Sequence, residues 1–93
     1  MRLVLALCLA LLATPAAASD PDLVAQGGAL YAAKCMRCHG PTARESVVGD
    51  ITGLSLSTVT SAVRSGPGMM PVLGLETDEI AAVAAYLASL SQR

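Results

Sequence analysis

Two thiols and an imidazole stand within five consecutive residues, Cys35-Met36-Arg37-Cys38-His39. Side chains three apart on a helical turn share a face, so both sulfurs can add to two vinyl groups along one edge of a flat macrocycle. His39, roughly 100° further round, is then held under a metal at the centre of the ring. C-x-x-C-H is the pattern of c-type haem attachment, with two thioether bonds and one axial imidazole. Three other chemistries share these residues. A structural zinc site needs four Cys or His ligands, and the chain beyond residue 18 offers three, Cys35, Cys38 and His39. A thioredoxin-like dithiol needs a βαβ setting, and no segment alternates convincingly as a strand. A plain short-loop disulfide is the third alternative.

The compartment bears on the choice. Arg2 is followed by an eleven-residue apolar run, Leu3 to Ala13, and by Ala16-Ala17-Ala18 ahead of polar Ser19-Asp20. This is the layout of a secretory signal peptide with an A-x-A cleavage site; the alternative is a retained N-terminal anchor, for which the run is short of a bilayer's span. Residues 1–18 are therefore expected to be removed and 19–93 to form one domain in an oxidising, periplasmic compartment. Cys8 leaves with the leader. No membrane span is expected after processing.

The remaining 75 residues carry five basic and seven acidic side chains, which excludes a basic nucleic-acid surface or a Lys-rich membrane face. They contain no Trp or Phe, and their only aromatics are Tyr31 and Tyr86. So short a chain buries little apolar area against the entropy of ordering its backbone, and domains of this size recruit a disulfide, a metal or a cofactor. Something large and apolar should fill the middle.

The elements that would position the cysteines and histidine are helices. Asp20-Pro21-Asp22 can cap a first helix from about Asp22 to Ala33, with Leu23, Gly27, Leu30 and Tyr31 on one face. Gly27 and Gly28 would each cost about 1 kcal/mol relative to Ala in mid-helix, which points to a close approach by another segment there. Residues 40–56 read as a loop along one edge of the haem. Ser57 is expected to cap a short helix to Arg64 or Ser65, with Val59, Ala62 and Val63 inward and Gly66-Pro67-Gly68 ending it. A last helix is expected from Thr77, as cap, to about Leu90, with Ile80, Val83, Ala84, Leu87 and Leu90 on one face. Three or four helices make an all-α domain.

A haem held by His39 keeps an open position unless a second side chain reaches the iron. Met69-Met70-Pro71 lies thirty residues downstream in a Gly/Pro-rich loop, whereas Met36 sits between the cysteines. Met70 is the preferred ligand, because Pro71 restrains the preceding residue to an extended conformation. Met69 then points away. The competing role for both methionines is apolar packing.

With these residues in view, the chain resembles a small bacterial class I cytochrome c over nearly all of residues 19–93. The resemblance rests on Gly27-x-x-Leu30-Tyr31, Cys35-x-x-Cys38-His39-Gly40, Arg64-x-Gly66 through Met70-Pro71, and Ala85-Tyr86-Leu87. It implies helices wrapped around one covalent haem c, with first and last helices crossing near Gly27 and Tyr86. It implies Cys35 and Cys38 as thioether attachments, and His39 and Met70 as axial iron ligands. One segment departs from the family pattern: Val48 stands where the family commonly has proline, in a turn whose carbonyl accepts the proton on the histidine Nδ1.

The expected function is one-electron exchange by a periplasmic carrier that transforms no substrate itself, with a dehydrogenase, oxidase or reductase as redox partner. The alternatives are a cytochrome subunit held in a periplasmic dehydrogenase complex, and a ligand-binding haem sensor or peroxidase. Lys34, Arg37, Arg44 and Arg64 fall in the segments around the haem, which leaves two readings open, a dipolar contact face that steers the partner and ordinary solvated surface.

Overall fold

The computed structural model describes residues 20–92; the leader at 1–18 lies outside the described residues. Four helices form in chain order: α1 Pro21–Lys34, α2 Met36–His39, α3 Leu56–Ser65 and α4 Thr77–Ser91. No strand occurs among the described residues, so the all-α expectation holds.

α1 begins where a cap and a proline coincide. The Asp20 carboxylate accepts from the Asp22 and Leu23 amides at 2.9 and 3.3 Å, satisfying two of the donors a helix start leaves open. Pro21, in the first turn, has no amide to leave unpaired. The helix breaks at Cys35, which leaves helical geometry at φ −120° while its amide still reaches the Tyr31 carbonyl at 2.8 Å. α2 is the single turn that follows, and it ends at Gly40.

α3 starts two residues earlier than expected. Ser55, not Ser57, is its cap, because the Ser55 hydroxyl faces the Thr58 amide at 3.2 Å and accepts from it. Gly66 closes the helix in the left-handed conformation at φ 61°, as the Gly-Pro-Gly sequence foretells. α4 is likewise capped one residue before Thr77. The Glu79 carboxylate accepts from the Glu76 amide at 2.7 Å, one arm of a capping box, and Thr77 already sits in the first turn. The Thr77 hydroxyl is engaged elsewhere, accepting from Arg64 Nη2 at 3.2 Å.

α1 and α4 pair closely, and Gly27 is the reason they can. A Cβ at that position would run into the Ala82 carbonyl oxygen and lie 2.9 Å from the Tyr86 Cβ. Along the same contact the Tyr31 and Tyr86 rings lie 5.5 Å apart, tilted by 38°. Tyr31, Val59, Val63, Ile80, Val83 and Leu87 form the centre of a small core. Two backbone bonds tie the irregular segments to it: Gly53 donates to the Leu87 carbonyl at 3.0 Å, and Leu73 to the Val63 carbonyl at 3.1 Å.

Candidate haem site

The core does not close on itself. Between the helices and the two long loops lies a cavity of about 920 Å³, at the upper end of the range for ligand sites. Its lining is mostly apolar: Ile51 and Leu54 from the first loop, Val59, Ala62 and Val63 from α3, Leu73 before α4, and Leu87 from α4. A domain with two aromatic residues would not leave such a space unless something large and apolar belonged in it.

The same wall brings together the residues singled out from the sequence. Cys35, Cys38 and His39 all line the cavity, and so do Met69 and Met70. Cys35 is half-buried and Cys38 exposed, and both are free thiols. Burial pushes the Cys35 thiol above its ordinary pKa, with the neighbouring Cys38 adding to the shift. α2 holds its turn through Cys38 and His39 amides that both donate to the Cys35 carbonyl, at 3.1 and 3.0 Å. His39 is half-buried, and its Nδ1 is buried with no hydrogen-bond partner among the described residues. Val48, at the departure from the family pattern, is 69% exposed.

The two methionines differ sharply. Met69 is 100% exposed, whereas Met70 is half-buried and packs against the core. The Met70 amide donates to the Pro67 carbonyl at 3.0 Å, which closes a tight turn that points the two side chains differently. Met36 is absent from the cavity lining and packs against the core.

Two of the competing chemistries lack their requirements in this setting. Among the described residues no three His, Cys, Asp or Glu cluster to hold a metal ion, and no sheet supports a dithiol site. Two thiols, one imidazole and a thioether around a large apolar space do fit a haem, since these are the soft and borderline donors its attachment and its iron use.

Residues 22–87 match the protein family described as cytochrome c oxidase, cbb3-type, subunit III. The chain belongs to this cytochrome c family. No curated protein and no solved structure matches it. As a cytochrome c domain it carries covalently attached haem c with iron and serves haem-based electron transfer, and its four-helix architecture is consistent with the class I fold. No helix among the described residues is long and apolar enough to cross a membrane.

Charges of both signs stand around this cytochrome c site. Of Lys34, Arg37, Arg44 and Arg64, only Lys34 lines the cavity, whereas Glu45 and Asp50 line it too. Arg44 pairs with Asp50 at 3.3 Å, and Arg64 is turned to Thr77. Hydrogen bonds hold both carboxyls below their ordinary pKa, chiefly from the Thr42 hydroxyl for Glu45 and from the Thr52 hydroxyl for Asp50. The rim is therefore mixed in sign, with Val47 and Met69 fully exposed upon it.

Two residues of this site escape a reading of the sequence. Tyr31, completely buried, donates its hydroxyl to the Gly40 carbonyl at 2.6 Å. Glu45 folds back over Gly40 and accepts from the Thr42 and Arg44 amides at 3.2 and 3.1 Å. Tyr31 carries a weak signal in its place within the Leu30-Tyr31 pair; Glu45 carries none.

Proposed function

We propose that this cytochrome c is a periplasmic one-electron carrier whose haem is attached through Cys35 and Cys38 and whose iron is ligated by His39 and Met70. The observation that supports it most is that one apolar cavity is lined by both thiols, the imidazole and a half-buried methionine thirty residues away. When bound, haem c supplies reversible one-electron exchange at its iron. The chain's own residues set the terms of that exchange. Cys35 and Cys38 anchor one edge of the ring. His39 and Met70 would ligate its iron when haem is bound, and with both in place oxygen, peroxide or substrate would find no open position there. Val59, Val63, Ile51 and Leu54 exclude water, and this apolar lining disfavours the extra charge of the ferric state.

Export to the periplasm rests on the leader at residues 1–18, with its short apolar run and Ala16-Ala17-Ala18. A second reading is a subunit held in a periplasmic dehydrogenase complex; the matched family's description, a subunit of an oxidase, favours the subunit role and not the dehydrogenase. The two separate on purification: a carrier comes from the periplasm alone, a subunit with a large partner. An optical redox titration tests the shared claim. A carrier gives a reversible one-electron transition, a far-red methionine-to-iron band when ferric, and no carbon monoxide adduct when ferrous. Ready carbon monoxide binding at neutral pH would instead indicate a sensor or peroxidase.

A further inference from the structure

A ligating imidazole ordinarily donates from its second ring nitrogen to a carboxylate, carbonyl or water, and that bond fixes the ring's orientation. His39 has no such protein partner, since its Nδ1 is buried without an acceptor among the described residues. The backbone from which the ring projects is held by four hydrogen bonds instead. The His39 amide donates to the Cys35 carbonyl at 3.0 Å, and the His39 carbonyl accepts from the Glu45 amide at 3.3 Å. The next carbonyl, that of Gly40, accepts from the Ala43 amide at 3.3 Å and from the Tyr31 hydroxyl at 2.6 Å. Of these bonds, the one from Tyr31 alone comes from a side chain, and it is the shortest.

Tyr31 is suited to serve as an anchor. It is completely buried, its ring is packed against Tyr86, and it belongs to α1, the helix locked against α4 at Gly27. Gly40, by contrast, begins a loop with little regular structure of its own. The Tyr31 hydroxyl thus transmits the rigidity of the α1–α4 pair to the residue that follows His39.

We infer that Tyr31 is a positioning residue for the axial imidazole: through the Gly40 carbonyl it fixes the direction in which His39 leaves the backbone, a task the family pattern gives to an acceptor on Nδ1. This rests on His39 being an iron ligand. Removal of the hydroxyl should therefore turn the imidazole plane without detaching the haem or displacing Met70.

The test uses the haem-loaded protein and its Tyr31→Phe variant, which keeps the ring and loses only the hydroxyl. The proton NMR shifts of the four haem methyl groups in the ferric state report the orientation of the axial ligands. The expected result is a changed order or spread of these four shifts in Tyr31→Phe, with covalent haem and the far-red methionine band retained. Tyr86→Phe removes the neighbouring hydroxyl, and Ile80→Val weakens the core away from the histidine; both should keep the wild-type pattern. A Tyr31→Phe pattern superimposable on wild type overturns the inference, and so does the same change in Ile80→Val, which would mark a general loosening. Should Tyr31→Phe not accumulate, exchange of the Tyr31 hydroxyl proton in the wild type decides. Exchange at least tenfold slower than at Tyr86 supports the bond, and equal rates overturn it. A wild-type protein without an imidazole-ligated low-spin iron would defeat the ligand assignment itself, a result distinct from unchanged methyl shifts.

Discussion

Replacing Gly27 with Ala tests the packing that holds the cavity open. Two effects oppose each other. Ala removes the backbone entropy cost of a mid-helix glycine, a gain of about 1 kcal/mol. Its Cβ, however, would sit 2.5 Å from the Ala82 carbonyl carbon and 2.9 Å from the Tyr86 Cβ. Carbon atoms rest comfortably at about 3.5 Å or more, so α1 and α4 must separate by roughly 1 Å. A backbone carbonyl cannot swing aside as a side-chain tip can, which places the packing loss at or above about 3 kcal/mol, the upper end for overfilled cores. The net destabilisation is then about 2 kcal/mol. At an m-value of about 2 kcal/mol/M in guanidinium chloride, the unfolding midpoint of the haem-loaded protein should fall by about 1 M. Gly28→Ala is the internal comparison: its Cβ would meet only the Tyr86 ring, at 3.2 Å, and the ring edge can yield. Equal midpoints for Gly27→Ala and wild type, or a greater loss in Gly28→Ala, would refute the close crossing of α1 and α4.

Met70→Ala should leave the haem attached, abolish the far-red band, admit carbon monoxide to the ferrous iron and lower the reduction potential, whereas Met69→Ala, at a fully exposed position, should do none of these. Visible spectra of the two variants check this, and the reverse assignment would show as the reverse pattern. Cys35→Ala combined with Cys38→Ala should yield chain without covalent haem and, because the cavity loses its occupant, a mostly unfolded far-ultraviolet circular dichroism spectrum. Burial pushes the Tyr31 hydroxyl from an ordinary value of 10.0 up to about 12, so above pH 10 the unfolded chain loses a proton that the folded one keeps. Stability should be unaffected by this group below pH 10 and fall as the pH rises towards 12, as followed by denaturation at stepped pH; Tyr31→Phe should remove that part of the fall.

Much of the architecture was legible because each element carries a local cause. Asp20-Pro21 starts α1, Gly66 ends α3 in a left-handed turn, and the glycine at 27 betrays the helix that crosses it. The caps of α3 and α4 were misplaced by two residues and one, since Ser55 and Ser57 are chemically equivalent candidates and Thr77 is a better cap by type than Glu76. Only the Glu79 side chain, reaching back, decides for Glu76. The five-residue motif announced the cysteines and His39, and the shortage of aromatics announced the cavity. What holds His39 was not legible. The Tyr31 to Gly40 bond spans nine residues across a helix break, and Glu45 turns inward through a loop in which Ala43 adopts φ 66°, a conformation its residue type does not advertise. The charge arrangement at the rim was not legible either: a basic residue near the site in sequence, such as Arg44, pairs with a carboxylate six positions on.

The central claim concerns a covalent bond and is weighed most directly. Intact-mass spectrometry of the exported protein, made in a host with working haem-attachment machinery, should give the mass of residues 19–93 plus one haem, retained after denaturation and acid extraction. A denatured protein that weighs only its polypeptide, its colour gone into the solvent, would contradict the account.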